Sequence, residues 1–307
     1  MKAVICPAYG PPDVLTIREV PKPSPKKNQV LVKVMASPVN SGDVRIRGLR
    51  VEGFMRIVMR FALGFTKPRQ PILGLVFAGV VEEVGEAVTR FKVGDEVYGS
   101  TGFKQGCHAE YVCVSEKKVI TTKPANASFA EAAALPFGGQ TAIYFLRKGN
   151  IESIEHPKVL VYGATGAVGT AAVQIARHYG ATVTAVCSSR GKELTQSLGA
   201  DHIILYDQED FTQVPDTFDI ILDAVGKTSK KQCRHLLTPK GKFLSVESTD
   251  IAAERTEYLD FLRKLYQDHQ YQATIDKIYP MEKAVEAHTH VDSGRKKGNV
   301  VLAMNED

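Results

Sequence analysis

Three glycines spaced three residues apart carry the clearest chemistry in this 307-residue sequence. Gly163, Ala164, Thr165, Gly166, Ala167, Val168 and Gly169 spell G-x-x-G-x-x-G between an apolar run ending at Tyr162 and an amphipathic stretch starting at Thr170. A strand, a tight turn and a helix form the context in which such spacing binds a dinucleotide. Gly163 lets the strand turn sharply. Gly166 has no Cβ to block a pyrophosphate approaching the backbone, and Gly169 lets the helix press on the sheet. The free N–H groups at the helix start then face the anion. A tight βα turn without a ligand is the competing reading.

The strand that follows bears on which dinucleotide is bound. An NAD site places Asp or Glu at its end to accept from the ribose 2′-hydroxyl. Here the strand ends in Cys187, Ser188, Ser189 and Arg190, with no acid until Glu193. Two hydroxyls and a guanidinium suit a 2′-phosphate, and Lys192 adds a second charge. NADPH is therefore the expected cofactor, against the alternative that 188–192 is a solvated loop.

The surrounding pattern has two regimes. Short β-branched runs at 3–6, 14–20, 30–36, 78–84, 96–98 and 109–114 are separated by Gly/Pro/Ser turns, which predicts a β-barrel-like or sandwich module. From Ser128 the period changes. Helices are expected at 129–135 and 140–146, then strand 158–162, helix 168–179, strand 182–187 and helix 192–198. Strands 202–205 and 218–223, helix 230–237 and strand 242–246 follow. This alternation implies a parallel sheet with helices on both faces. A helix at 257–269, a strand at 274–279, a helix at 281–290 and a strand at 299–303 close the chain. The last strand is expected to return to the first module.

Composition removes several classes. At 44% hydrophobic and 24% charged the chain is globular, and its net +5 is spread without a block of like charge, so no nucleic-acid partner is expected. The apolar stretch 54–65 carries Arg56 and Arg60 and is too short to span a membrane. Its helical spacing over 53–65 predicts a core or lid helix over the substrate cleft, with a membrane-contact helix as the alternative. Residues 1–20 lack the pattern of a signal peptide. Five cysteines without a CxxC pair indicate a reduced, cytoplasmic chain with no structural zinc knuckle. Cys107 and His108, adjacent on an expected strand, point to opposite faces and make a poor metal site.

Several segments, in order, resemble the medium-chain dehydrogenase/reductase superfamily in its zinc-independent quinone oxidoreductase-like branch. They are 37–43 (SPVNSGD), 71–74 (PILG), 78–85 (AGVVEEVG), 91–99 (FKVGDEVYG), 133–142 (AALPFGGQTA), 197–202 (SLGADH) and 222–226 (LDAVG). The resemblance implies an α/β fold: a GroES-like β-module, residues 1–125 and 278–307, plus a Rossmann doubly wound parallel sheet, residues 126–277. The active site would lie in the cleft between them. Where zinc members hold their catalytic metal, this chain aligns Asn40, Leu75 and Phe137. Leu and Phe cannot coordinate a cation, so no catalytic metal is expected.

By the same resemblance Asn40 lies near the nicotinamide ribose or a substrate oxygen, the single catalytic candidate. Thr141 abuts the nicotinamide end, and Ala224, Val225 and Gly226 flank it; Tyr206, following a strand, is expected to touch the adenosine ribose, with a half-buried surface Tyr as the alternative. An Asn turn cap, a Thr helix N-cap and ordinary strand-end packing are the alternatives. Without a Lewis acid, the plausible chemistry is hydride transfer from NADPH to a small-molecule electron acceptor, a quinone or an α,β-unsaturated carbonyl. A zinc-free alcohol dehydrogenase-like enzyme and a non-catalytic NADPH-binding protein are the alternatives. Tyr98, Tyr111, Tyr144 and His108 are candidate general acids by type only, and solvent is the other proton source. Two departures stand out: Val76 replaces the usual acid, and the stretch between Val246 and Glu257 is short. The shortening predicts an open cleft in a monomer or weak homodimer.

Overall fold

The computed structural model describes residues 1–49, 60, 61, 63–248 and 250–304. Most of the lid helix expected over 53–65 lies outside the described residues. The first part of the chain is built on strands β1 (Lys2–Ile5), β2 (Thr16–Glu19), β3 (Gln29–Val39), β4 (Val76–Val84), β5 (Glu96–Ser100), β6 (Tyr111–Ser115) and β7 (Ile120–Thr122), with helix α1 (Ser41–Gly48) after β3. Helices α2 (Phe129–Ala134) and α3 (Pro136–Lys148) lead into the alternating half. That half runs β8 (Lys158–Tyr162), α4 (Ala167–His178), β9 (Thr182–Cys187), α5 (Lys192–Ser197), β10 (His202–Leu205), β11 (Phe218–Asp223), α6 (Lys230–Cys233) and β12 (Leu237–Ser245). The chain closes with α7 (Thr256–Gln267), β13 (Ile275–Pro280), α8 (Ala284–Asp292) and β14 (Asn299–Ala303).

Two sheets carry the architecture. The seven-stranded sheet runs β13-β14-β3-β4-β5-β7, with β6 also paired to β3. The last strand does return to the first module: β14 is antiparallel to β3, with Val301 opposite Pro38. The second sheet is parallel, in the order β10-β9-β8-β11-β12. Its central strand β8 buries Val159, Leu160 and Val161 completely, because helices cover both faces. The short connection after β12 leaves that strand at the sheet edge. Apolar packing joins the two halves: Ala36, Ala78 and Val301 share a core with Leu135, Ile143 and Leu262. The Tyr98 hydroxyl on β5 donates to Leu259 O on α7 at 2.6 Å.

Several elements differ from expectation, including β7, which lies outside every expected run. Helix α1 was hidden because its buried face includes polar residues, so no apolar period shows. Arg47 on α1 is fully buried, ion-paired with Asp292 and within 3.0 Å of His288 Nδ1 through Nη1. Helix α3 begins at Pro136, well before 140, since Pro suits a first helical turn. The helix expected at 230–237 ends at Cys233 and tightens into one 3-10 turn, because Leu237 already belongs to β12.

Candidate active site

The strand order reverses between β8 and β11, which leaves a crevice beyond their carboxyl ends. The glycine loop fills one lip of it. Gly163 has φ +79°, and its N–H, like that of Ala164, donates to Val186 O at the end of β9. A Cβ on Gly169 would stand 2.2 Å from Gly163 O, so this glycine is what lets α4 seat on the loop. Gly166 is different. Its φ of −77° and ψ of 174° suit any residue, and the nearest atom to a Cβ there is Gly163 O at 3.7 Å. The first bond of α4 runs from Thr170 N to Gly166 O, so the amides of Ala167 and Val168 have no acceptor within the helix. A segment from the other sheet's side is stitched to this loop: Gly298 N donates to Thr165 O at 2.7 Å.

The second lip is the end of β11. Asp223 is fully buried and gathers the chain that follows it. Its Oδ1 accepts from the amides of Val225, Gly226 and Lys227, and its Oδ2 from Thr228 N and the Ser245 hydroxyl. Ala224 to Gly226 are thereby held against the glycine loop, with Val225 Cγ1 2.6 Å from where a Gly163 Cβ would lie. Glu247 packs on Gly226 and pairs with Arg45 of α1, so an ion pair crosses from one half of the molecule to the other.

Asn40 caps the start of α1 and is 2% exposed. Its backbone N–H donates to Asp43 Oδ2 at 2.8 Å, while its side-chain Nδ2 is buried without a partner among the described residues. Asp43 also accepts from Gly74 N at 3.0 Å. Burial pushes the Asp43 carboxyl upward, opposed by neighbouring His108 and these amides. Apolar side chains close over this first turn: a Cβ on Gly42 would meet Leu75 Cδ1 at 2.7 Å and Phe137 Cε2 at 3.8 Å. Thr141 lies inside α3, not at its N-cap, and its hydroxyl donates to Phe137 O at 2.7 Å.

The typed general-acid candidates have contacts of their own. Besides Tyr98, whose hydroxyl is spent on Leu259, Tyr111 sits on β6 under Lys22, with the ammonium 4.2 Å from its ring centroid. Tyr144 lies within α3, its ring edge-on to Phe145. His108 Nε2 lies 3.2 Å from Pro38 O. Cys107 and His108 fall outside any named strand, and each has its own partner; the Cys107 thiol contacts the Thr101 hydroxyl at 3.4 Å. Burial pushes that thiol far up.

At the end of β9, Ser188 and Ser189 are half-buried, while Arg190 and Lys192 are exposed. Tyr206 is 51% exposed beside them, and its N–H donates to Cys187 O. The sequence reading missed a residue here. Asp207, following β10, accepts the Ser189 N–H on both carboxylate oxygens, at 2.9 and 3.1 Å. The residue was legible as an acid but its partner was not, since 18 residues separate the two.

Comparisons with known proteins agree with this geometry. The alcohol dehydrogenase GroES-like domain matches residues 26–124, and the zinc-binding dehydrogenase family matches 167–274 and, in a second form, 248–302. A 2-methylene-furan-3-one reductase of Solanum lycopersicum is 36% identical over 98% of this chain and 79% of its own length. The chain belongs to the medium-chain dehydrogenase/reductase superfamily, in its quinone oxidoreductase-like branch. A further member, the chloroplastic NADPH-dependent alkenal/one oxidoreductase of Arabidopsis thaliana, is 31% identical over 98% of this chain and 79% of its own. Among solved structures, the quinone oxidoreductase of Coxiella burnetii superposes with TM-score 0.83 at 28% identity over 99% of both chains. The donor set at the start of α1 does not fit the zinc in two of those family descriptions. Leu75 and Phe137 offer no donor atom, and among the described residues no group of three His, Cys, Asp or Glu could hold an ion.

Proposed function

We propose that this protein is a reductase that uses NADPH, without a metal, to reduce a quinone or an α,β-unsaturated carbonyl. One observation carries the reading: Gly166 leaves open, at the sheet's switch point, a space that the fold itself does not need empty. When bound, NADPH supplies the hydride. The amides of Ala167 and Val168 face the diphosphate, and Gly166 lets it approach. Ser188, Ser189, Arg190 and Lys192 meet the 2′-phosphate, Tyr206 the adenosine ribose, and Ala224 to Gly226 with Thr141 line the nicotinamide end.

Asn40 Nδ2 is a buried donor without a partner among the described residues, which suits an acceptor carbonyl or a ribose hydroxyl. Leu75 and Phe137, which close over the neighbouring Gly42, would keep water from this turn and so strengthen that one hydrogen bond. For an enone, bound NADPH would supply hydride to the β-carbon, the π pair would move to the carbonyl oxygen beside Asn40, and a proton from solvent would complete the α-carbon. The named activities of the relatives support this substrate class. Five free thiols support a reducing, cytoplasmic location. The test is NADPH consumption, followed by absorbance, across a panel of quinones and enones. Turnover of either class is expected. Tight binding without turnover of any acceptor would favour a non-catalytic role, and no binding would end the reading.

A further inference from the structure

The coenzyme reading assigns cations and hydroxyls to the end of β9, yet the fold delivers a carboxylate to the same place. The strip from Ser188 to Gly191 lies on the glycine loop: a Cβ on Gly191 would stand 2.4 Å from Thr165 Cγ2. Asp207 closes the outer side of that strip. Both its oxygens rest on the Ser189 amide, and Gln208 Nε2 donates to the Ser189 hydroxyl at 3.0 Å. Desolvation opposes its charge, but the Ser189 hydrogen bonds and nearby Arg190 hold the Asp207 carboxyl below its ordinary range. It is thus an anion at neutral pH, near enough to Arg190, the cation that a 2′-phosphate would use, to be influenced by its charge.

We propose that Asp207 is a coenzyme-selectivity residue, which accepts from a ribose 2′-hydroxyl and repels a 2′-phosphate, so that NADH competes with NADPH at this site. The inference rests on the proposed coenzyme reading and deepens it. The chemistry is that of an acid placed at the end of the second Rossmann strand, here supplied by the neighbouring strand. Arg190 and Lys192 attract the phosphate, Asp207 opposes them, and the Ser189 amide is occupied by the carboxylate when a phosphate arrives. The balance lowers discrimination without abolishing dinucleotide binding.

The experiment measures, by calorimetry at fixed ionic strength, the affinities of 2′,5′-ADP and of 5′-ADP for the whole protein and for Asp207→Asn. The amide keeps an oxygen for the Ser189 N–H, so the loop geometry survives and only the charge is lost. A melting curve of the variant checks this. Removing a unit charge a few ångströms from a solvent-screened dianion is worth roughly tenfold. The expected result is 2′,5′-ADP binding about tenfold tighter, with 5′-ADP unchanged or slightly weaker. Asp207→Ala should move the ratio in the same direction even if the loop loosens. Binding of both fragments with a ratio that moves less than about twofold in both variants overturns this inference alone. Binding of neither fragment to the unaltered protein overturns the coenzyme reading, and this inference with it.

Discussion

Gly166→Ala separates what the fold needs from what a ligand needs. The backbone at Gly166 is extended (φ −77°, ψ 174°), and among the described residues a methyl there meets only Gly163 O, at an ordinary 3.7 Å. Reduced freedom of the unfolded chain favours the variant by about 0.4–1 kcal/mol. Gly166 is also the N-cap of α4, where Ala is the poorer residue, at a cost of roughly 0.5–1 kcal/mol. The two nearly cancel, so the melting temperature should move by no more than about 4 °C. Binding should respond differently. The methyl would point into the space where a diphosphate meets the amides, and each charge-assisted bond lost is worth about 1.5–3 kcal/mol. That predicts NADPH affinity weaker by roughly 10- to 100-fold, read by quenching of intrinsic tyrosine fluorescence or by calorimetry. Gly169→Ala is the contrast: its Cβ would strike backbone at 2.2 Å, so stability itself should collapse. Unchanged NADPH affinity in a well-folded Gly166→Ala protein would refute the reasoning.

Asp223→Asn leaves the Thr228 N–H facing an amide donor, a buried mismatch of about 1–3 kcal/mol; the melting temperature should fall by several degrees and NADPH binding should weaken, and an unaltered protein would contradict this. Arg190→Ala should weaken 2′,5′-ADP by at least about fivefold while sparing 5′-ADP, and equal losses for both would remove the 2′-phosphate assignment. Burial lowers the Lys296 ammonium to about 8, with Asp276 pulling it back up. Between pH 8 and 10.5 the unfolded chain therefore binds more protons than the folded one, so the wild type gains stability relative to Lys296→Met as pH rises through that window. Denaturant titrations of both proteins at pH 7 and pH 10 check this; a gap that does not change with pH would contradict it.

Much of the fold was legible because its signals are local. The β8–Gly163–α4 unit shows apolar strand, glycines and amphipathic helix within twenty residues, and Gly163 and Gly169 take the backbone roles their spacing suggests. The return of β14 to β3 was also foreseen, from a polar break before an apolar run. What stayed hidden depends on pairing across the chain. Helix α1 buries Asp43 and Arg47, whose partners Gly74, His288 and Asp292 lie far away in sequence, so its pattern reads as solvent-facing. Asp207 was passed over for the same reason, since the acid rule looks along β9 and not across to β10. The gathering of five donors by Asp223 could have been suspected from Asp-Ala-Val-Gly, an acid followed by turn residues, but Ser245 comes from another strand.

The central claim is that this cleft passes hydride from a nicotinamide coenzyme to a polarised carbon. It is tested most directly by isotope tracing: NADPH carrying deuterium at C4 is incubated with the protein and an enone, and the product is read by mass spectrometry and NMR. The account predicts deuterium at the β-carbon from one face of the coenzyme only, and, in heavy water with ordinary NADPH, deuterium at the α-carbon. Product whose β-carbon hydrogen comes from solvent, or label retained in the coenzyme with every acceptor whichever face of C4 carries it, would contradict it.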